Sequence, residues 1–149
     1  MAFRASNIVP EQALTAGKNL ALSIKSQAQA RADQFLSDTS ADSVINTYLE
    51  LHSAYNSLNA VKDTPGLSTY AQAQENDGTY DIVAEFNGLL TAIDTAMQSI
   101  RNAYPVDANN YLLDRTFDLG SGTFIYRTFT AAQLATVQSN LQAVADAVS

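Results

Sequence analysis

The chain predicts a mainly α fold: a four-helix bundle with a β-hairpin inserted between the third and fourth long helices. Three observations carry this expectation. Residues 80–104 (YDIVAEFNGLLTAIDTAMQSIRNAY) space Val83, Phe86, Leu90, Ile93, Met97, Ile100 and Tyr104 at alternating steps of three and four, one stripe of a helix. Three other stretches repeat that rhythm, less strongly. Between residues 112 and 128 the period drops to about two, around a Gly120-Ser121-Gly122 turn signal.

Taken in order, residues 1–9 read as an N-terminal arm, with Phe3 and Arg4 as its sizeable side chains. Pro10 suits a first helical turn, where no N–H is needed, and Glu11 favours the helix dipole. The first helix is expected over 10–36, with Leu14, Leu20, Ile24, Ala28 and Phe35 inward. Gly17, Ala21 and Ala32 would permit close helix approach, while Lys18, Lys25 and Arg31 ride outside the stripe. A capping-rich turn at 37–40 leads into a second helix over 41–61, carrying Val44, Tyr48, Leu51, Tyr55, Leu58 and Val61. Pro65-Gly66 ends it, and residues 67–74 form a short helix with Leu67 and Tyr70 inward.

The helix over 80–104 comes next, roughly 37 Å long at 1.5 Å per residue. Ile82, Leu89, Ala92 and Ala96 widen its stripe, so more than one partner should embrace it. Asp81 and Glu85 in its first turns and Arg101 in its last match the macrodipole. Pro105 stops it. Strands over 112–119 and 123–128 then make the hairpin, placed within 111–129. Thr130 and Gln133 have the capping-box form, with Phe129 as staple, and open a last helix carrying Leu134, Val137, Leu141, Val144 and Val148. Its other face, including Gln133, Thr136, Ser139, Asn140 and Gln142, is polar and almost uncharged.

With 149 residues and 46% hydrophobic content the chain is expected to form one domain, 1–149, with a real core. No run approaches a membrane span, and the start lacks the apolar stretch of a secretory signal. Zero cysteines exclude disulfides and thiolate chemistry and fit a reducing cytoplasm. The net charge is −7, with eight scattered Lys and Arg residues, so neither nucleic acid nor an anionic membrane surface is an expected direct partner. Charged residues make up only 15%, against about 25% in typical domains. Coverage of the surface by other subunits explains that scarcity, and so does compositional drift.

Catalytic and metal motifs do not assemble. His52, the only histidine, stands mid-helix among Glu50, Ser53 and Tyr55 without a recognisable nucleophile and orienting partner. Asp77, Asp81 and Glu85 share a helix face that could in principle hold a hard cation, but their position at a helix start already explains them. A calcium-loop reading of 107–118 fails, because Leu112 occupies the required glycine position. Gly120-Ser121-Gly122 is neither a phosphate loop nor a nucleophile elbow. No catalytic residue, cofactor site or metal site is expected, and the protein is read as non-enzymatic.

The hairpin is the functional candidate. Leu113, Phe117 and Leu119 fall on one side of its first strand, Phe124 and Tyr126 lie on the second, and both faces carry apolar bulk. A lone two-stranded hairpin is marginal in water and must lean on something. One reading packs it on its own bundle. The other extends it to a neighbouring subunit, by side-chain packing or strand addition, with Arg115 and Arg127 as interface arginines.

Four segments together, SNIVPEQAL, YAQAQENDGTYDIVAEFNGLLTAI, AYP followed by YLL, and RTFTAAQLATVQSNLQAVADAV, resemble a family of small hypothetical or virion-associated proteins of tailed bacteriophages. The resemblance spans most of the chain and rests on helix-core and capping residues. It implies a virion component or assembly factor made in the host bacterial cytoplasm. Within that class the expectation is a head-to-tail adaptor, a ring of copies docked under the portal, with other copies of itself and portal, tail or capsid proteins as partners. A capsid cement protein is the alternative in the same class. A phage factor that binds and modulates a host protein is the alternative from another class. An enzymatic role such as peptidoglycan hydrolysis would need a placed acid or base in a cleft.

Overall fold

A computed structural model describes residues 9–37, 41–103, 115–126 and 129–149, without the side chains of 41, 42, 115–117 and 124–126. These residues are mainly helical: α1 (Pro10–Gln34), α2 (Ala41–Lys62), α3 (Leu67–Glu75), α4 (Ile82–Ala103) and α5 (Ala131–Asp146). Two short strands, β1 (Arg115–Asp118) and β2 (Thr123–Tyr126), lie between α4 and α5.

The chain closes these helices into a ring. α1 packs on α2 and α5, and α4 packs on the same two from the opposite corner. Polar contacts show α1–α2, α2–α4 and α1–α5 to be antiparallel, which makes α4 and α5 antiparallel as well. Arg31 of α1 meets Glu50 of α2, and Tyr48 of α2 meets Arg101 of α4. Gln29 of α1 pairs with Gln142 of α5, and Lys25 with the carbonyls of Ala145 and Val148. The long helices therefore run up, down, up and down, the arrangement that short connections favour. Short α3 bridges α2 to α4 and seals one end against α1 and α4.

Each helix begins and ends for a local reason. Pro10 opens α1 at a position that needs no N–H, and Ala13 N–H bonds the Val9 carbonyl at 3.0 Å. The helix ends at Gln34 with Phe35 as its C-cap, two residues short of the expected end, and Leu36 is left 72% exposed. Gly66 and Asn76 bracket α3 in left-handed backbone, φ +81° and +52°, which glycine and asparagine tolerate best. Asp81 is not in the first turn of α4 but caps it, accepting from Ala84 N–H at 3.0 Å. Thr130 and Gln133 form a reciprocal capping box at the start of α5, with bonds of 3.1 and 3.0 Å.

α4 is the hub. Ile82, Phe86, Leu89, Leu90, Ile93, Ala96, Met97 and Ile100 are buried, a wider stripe than the three-four pattern alone marks. Val83 is only half-buried, so the centre of the buried face lies on the Leu89–Ala96 flank of the expected stripe. Tyr104 lies outside the described residues. In α3 the residue driven inward beside Leu67 is Ala71, with Tyr70 half-buried.

Two polar groups expected at the surface instead hold α1 to α5. Lys25 Nζ donates to the carbonyls of Ala145 and Val148 at 3.0 and 2.8 Å, where the unsatisfied oxygens and negative dipole end of α5 attract a cation. Gln142 and Gln29 exchange two amide bonds at 2.7 and 2.8 Å, and Gln138 donates to the Ala32 carbonyl. The polar side of α5 is thus partly an intramolecular seam.

Candidate functional site

The hairpin is built around Asp118. Its strands pair antiparallel with Arg115 opposite Tyr126, Thr116 opposite Ile125, Phe117 opposite Phe124 and Asp118 opposite Thr123. The turn is Leu119-Gly120-Ser121-Gly122, one residue earlier than the glycines suggest. Asp118 sets that boundary. Its carboxylate accepts from Gly120 N–H at 2.9 Å and Ser121 Oγ at 2.9 Å, which folds the chain back immediately after the strand. Gly122 then takes φ +71°, and its N–H closes on the Asp118 carbonyl at 2.8 Å. The Ser121 hydroxyl and Gly120 amide bonds favour the ionised form and hold the Asp118 carboxyl below its ordinary value.

These bonds change the role of Leu119. Read from the sequence as the last residue of the first strand, on the side of Leu113 and Phe117, it stands instead in the turn, 89% exposed. Of the other residues assigned to the interface, Arg115, Phe117, Phe124 and Tyr126 occupy strand positions, and the register brings them together as two opposed pairs. Leu113 and Arg127 lie outside the described residues.

The remaining candidate residues have structural partners. Asp77 accepts from the N–H and hydroxyl of Thr79 at 2.9 and 2.7 Å, and those bonds lower its carboxyl below the ordinary value. With Asp81 capping α4 and Glu85 accepting from the Tyr80 hydroxyl, each of the three carboxylates serves the turn between α3 and α4. Among the described residues no three or more His, Cys, Asp or Glu side chains are grouped to hold a metal. His52 is exposed beside a shallow hollow with Tyr48, Tyr55, Asp94 and Arg101. There Arg101 donates to the Tyr48 hydroxyl at 3.0 Å and to Gln98 at 2.9 Å, holding α2 to α4. No helix among the described residues is long and apolar enough to cross a membrane.

One surface was not foreseen. Where α5 runs out, opposite Lys25, the faces of α1 and α4 remain uncovered and form a groove of about 540 Å³. Ala21, Leu22, Gly88, Leu89 and Val148 line it, with Lys18 and Glu85 also on its wall. Leu22, off the inward stripe of α1, is 55% exposed there. Its sequence signals were an unpaired leucine and a mid-helix glycine, each too weak alone to mark a site.

Comparison with known protein families, with curated proteins and with solved structures gives no match to this chain.

Proposed function

We propose that this chain is a non-enzymatic assembly protein of a tailed-phage virion, acting as a head-to-tail adaptor whose hairpin engages a neighbouring protein. The observation that carries the reading is Leu119. A large apolar side chain is displayed to solvent at the tip of a turn that Asp118 holds in shape. Exposed single leucines are common on protein surfaces, but one in a turn braced by the Asp118 bonds is already organised for contact, so little entropy is lost when it docks. Scarce surface charge and the segmental resemblance to phage virion proteins support the same role. Other copies of the chain and the portal are the proposed partners, and the virion its place.

Replacing residues 118–123 by a two-residue Asn-Gly turn tests this directly. The bundle should keep its helical circular dichroism, because its described core is helical, while assembly with itself and with portal is lost. Unchanged assembly with unchanged folding would overturn the role of the hairpin. A protein that stays monomeric with portal and is absent from purified particles would overturn the virion reading and favour a factor that binds a host protein.

A further inference from the structure

We infer that Asn87 is a deamidation site that the fold of α4 keeps closed, so that its conversion to aspartate and isoaspartate records how often this helix opens. This goes beyond the assembly role and does not depend on it.

The chemistry starts from the sequence. Of the six glycines only Gly88 follows an asparagine. In such a pair the backbone nitrogen of the glycine attacks the asparagine Cγ with no side chain in its way. The attacking nitrogen loses its proton, the N–Cγ bond forms, the Cγ–Nδ2 bond breaks, and ammonia leaves behind a five-membered succinimide. Water then opens that ring at either carbonyl, giving aspartate or, with the chain rerouted through the side chain, isoaspartate. Asp77-Gly78 is the related pair, but its carboxylate is ionised, a poor electrophile, and bonded by Thr79.

Around Asn87 the helix itself is the restraint. The side chain is exposed, without a hydrogen-bond partner among the described residues, and a Cβ on Gly88 would meet nothing within 4 Å. Gly88 stands beyond the first turn of α4, so its N–H is taken by the carbonyl of Ala84, four residues back. Ring closure needs that hydrogen bond broken and Asn87 rotated out of the helical ψ of about −42°. Both require α4 to open, and Phe86, Leu89 and Leu90, buried on either side of the pair, oppose it. The isoaspartyl product adds a methylene to the backbone between Phe86 and Leu89. A chain once converted therefore no longer rebuilds this stretch of the core in register.

Full-length protein is incubated in mildly alkaline buffer with and without denaturing urea. The peptide holding Asn87 is followed by mass spectrometry and by isoaspartyl methyltransferase labelling. Conversion in urea should be fast, and Gly88→Ala should slow it there many-fold. In native buffer it should be at least about tenfold slower than in urea. Ile93→Ala, which loosens α4 away from the pair, should raise the native rate several-fold; if that variant does not fold, its rate should equal the urea rate. Equal rates for the unaltered chain in buffer and in urea would show that α4 does not protect Asn87. No conversion even in urea would remove the site itself. A slow native rate that a folded but destabilised Ile93→Ala protein leaves unchanged would show that opening of α4 is not the gate.

Discussion

Gly17 shows how much one missing side chain decides. It sits in α1 at the point where Phe86 of the diagonally opposed α4 enters the core beside Val61. A Cβ there would lie 2.5 and 2.8 Å from two ring carbons and 3.0 Å from Val61 Cγ1. Alanine favours the helix by about 1 kcal/mol. Overpacking a filled core costs about 1–3 kcal/mol, and both Phe86 and Val61 are buried with little room to yield. Steric cost should win: Gly17→Ala is expected to lower stability by up to about 2 kcal/mol in urea unfolding, and the added cost should shrink in a Phe86→Leu background. A stabilised Gly17→Ala protein would mean that the α1–α4 approach is looser than described. At the hairpin, the Asp118 carboxyl titrates below its ordinary range in the folded protein. A depressed folded value means that its contribution is present above the unfolded value and is lost as pH falls through the folded one. Carboxyl-carbon NMR should therefore show Asp118 protonating later than a free aspartate as acid is added. Ser121→Ala should move it back up, since the serine hydroxyl is the largest cause. An unmoved titration would remove the Ser121 bond from the account of the turn.

The helices differ in how openly the sequence announced them, and the reasons are physical. α4 was legible because its burial is one-sided and built from large residues, which leaves an unmistakable period. Ile93, fully buried at its middle, should cost about 2–5 kcal/mol when cut to alanine, and a loss below about 1 kcal/mol would show that this stripe is not core. The capping box of α5 was equally plain, because its two partners are three residues apart. Thr130→Ala should cost about 0.5–2 kcal/mol by thermal melting, against a negligible effect if the bonds form only intermittently. α1 was less legible, since Ala13, Gly17, Ala28 and Ala32 bury little area each and blur the stripe. Lys25 and Gln142 could not be read at all. Whether a lysine is solvated or caps a helix end depends on which helix arrives beside it, and that helix is 120 residues away. Leu119 fell between the two cases: the turn was visible in Gly120 and Gly122, but its boundary depends on Asp118 bonding forward to Gly120 and Ser121. The groove belongs to no local pattern, because it exists only where 16-residue α5 stops short alongside 25-residue α1.

At the scale of the whole molecule, the ring is closed by its two ends. α1 and α5, first and last in the chain, lie side by side, so the bundle is complete only when both are present. Their seam combines apolar contact with polar anchoring. Leu141 stands with Ile24, Ala28 and Leu51 where α1, α2 and α5 meet, while Lys25, Gln29 and the Ala32 carbonyl bond to α5 along its length. Removing α5 would expose the α1 and α4 faces it covers and leave Val137, Leu141 and Val144, all fully buried, with no counterpart. Three helices and a bridging α3 then lack one wall of the core. A chain ending at Thr130 should accordingly lose the single cooperative thermal transition expected of a small domain, bind a hydrophobic dye, and keep only partial helicity. Trimming Ala147–Ser149 is a milder insult, since it removes one carbonyl partner of Lys25 and the half-buried Val148. It should lower the melting temperature while leaving the transition cooperative. If the chain ending at Thr130 still melts in one sharp transition, α5 is an appendage on a three-helix fold, and the groove at its end must be redrawn with it.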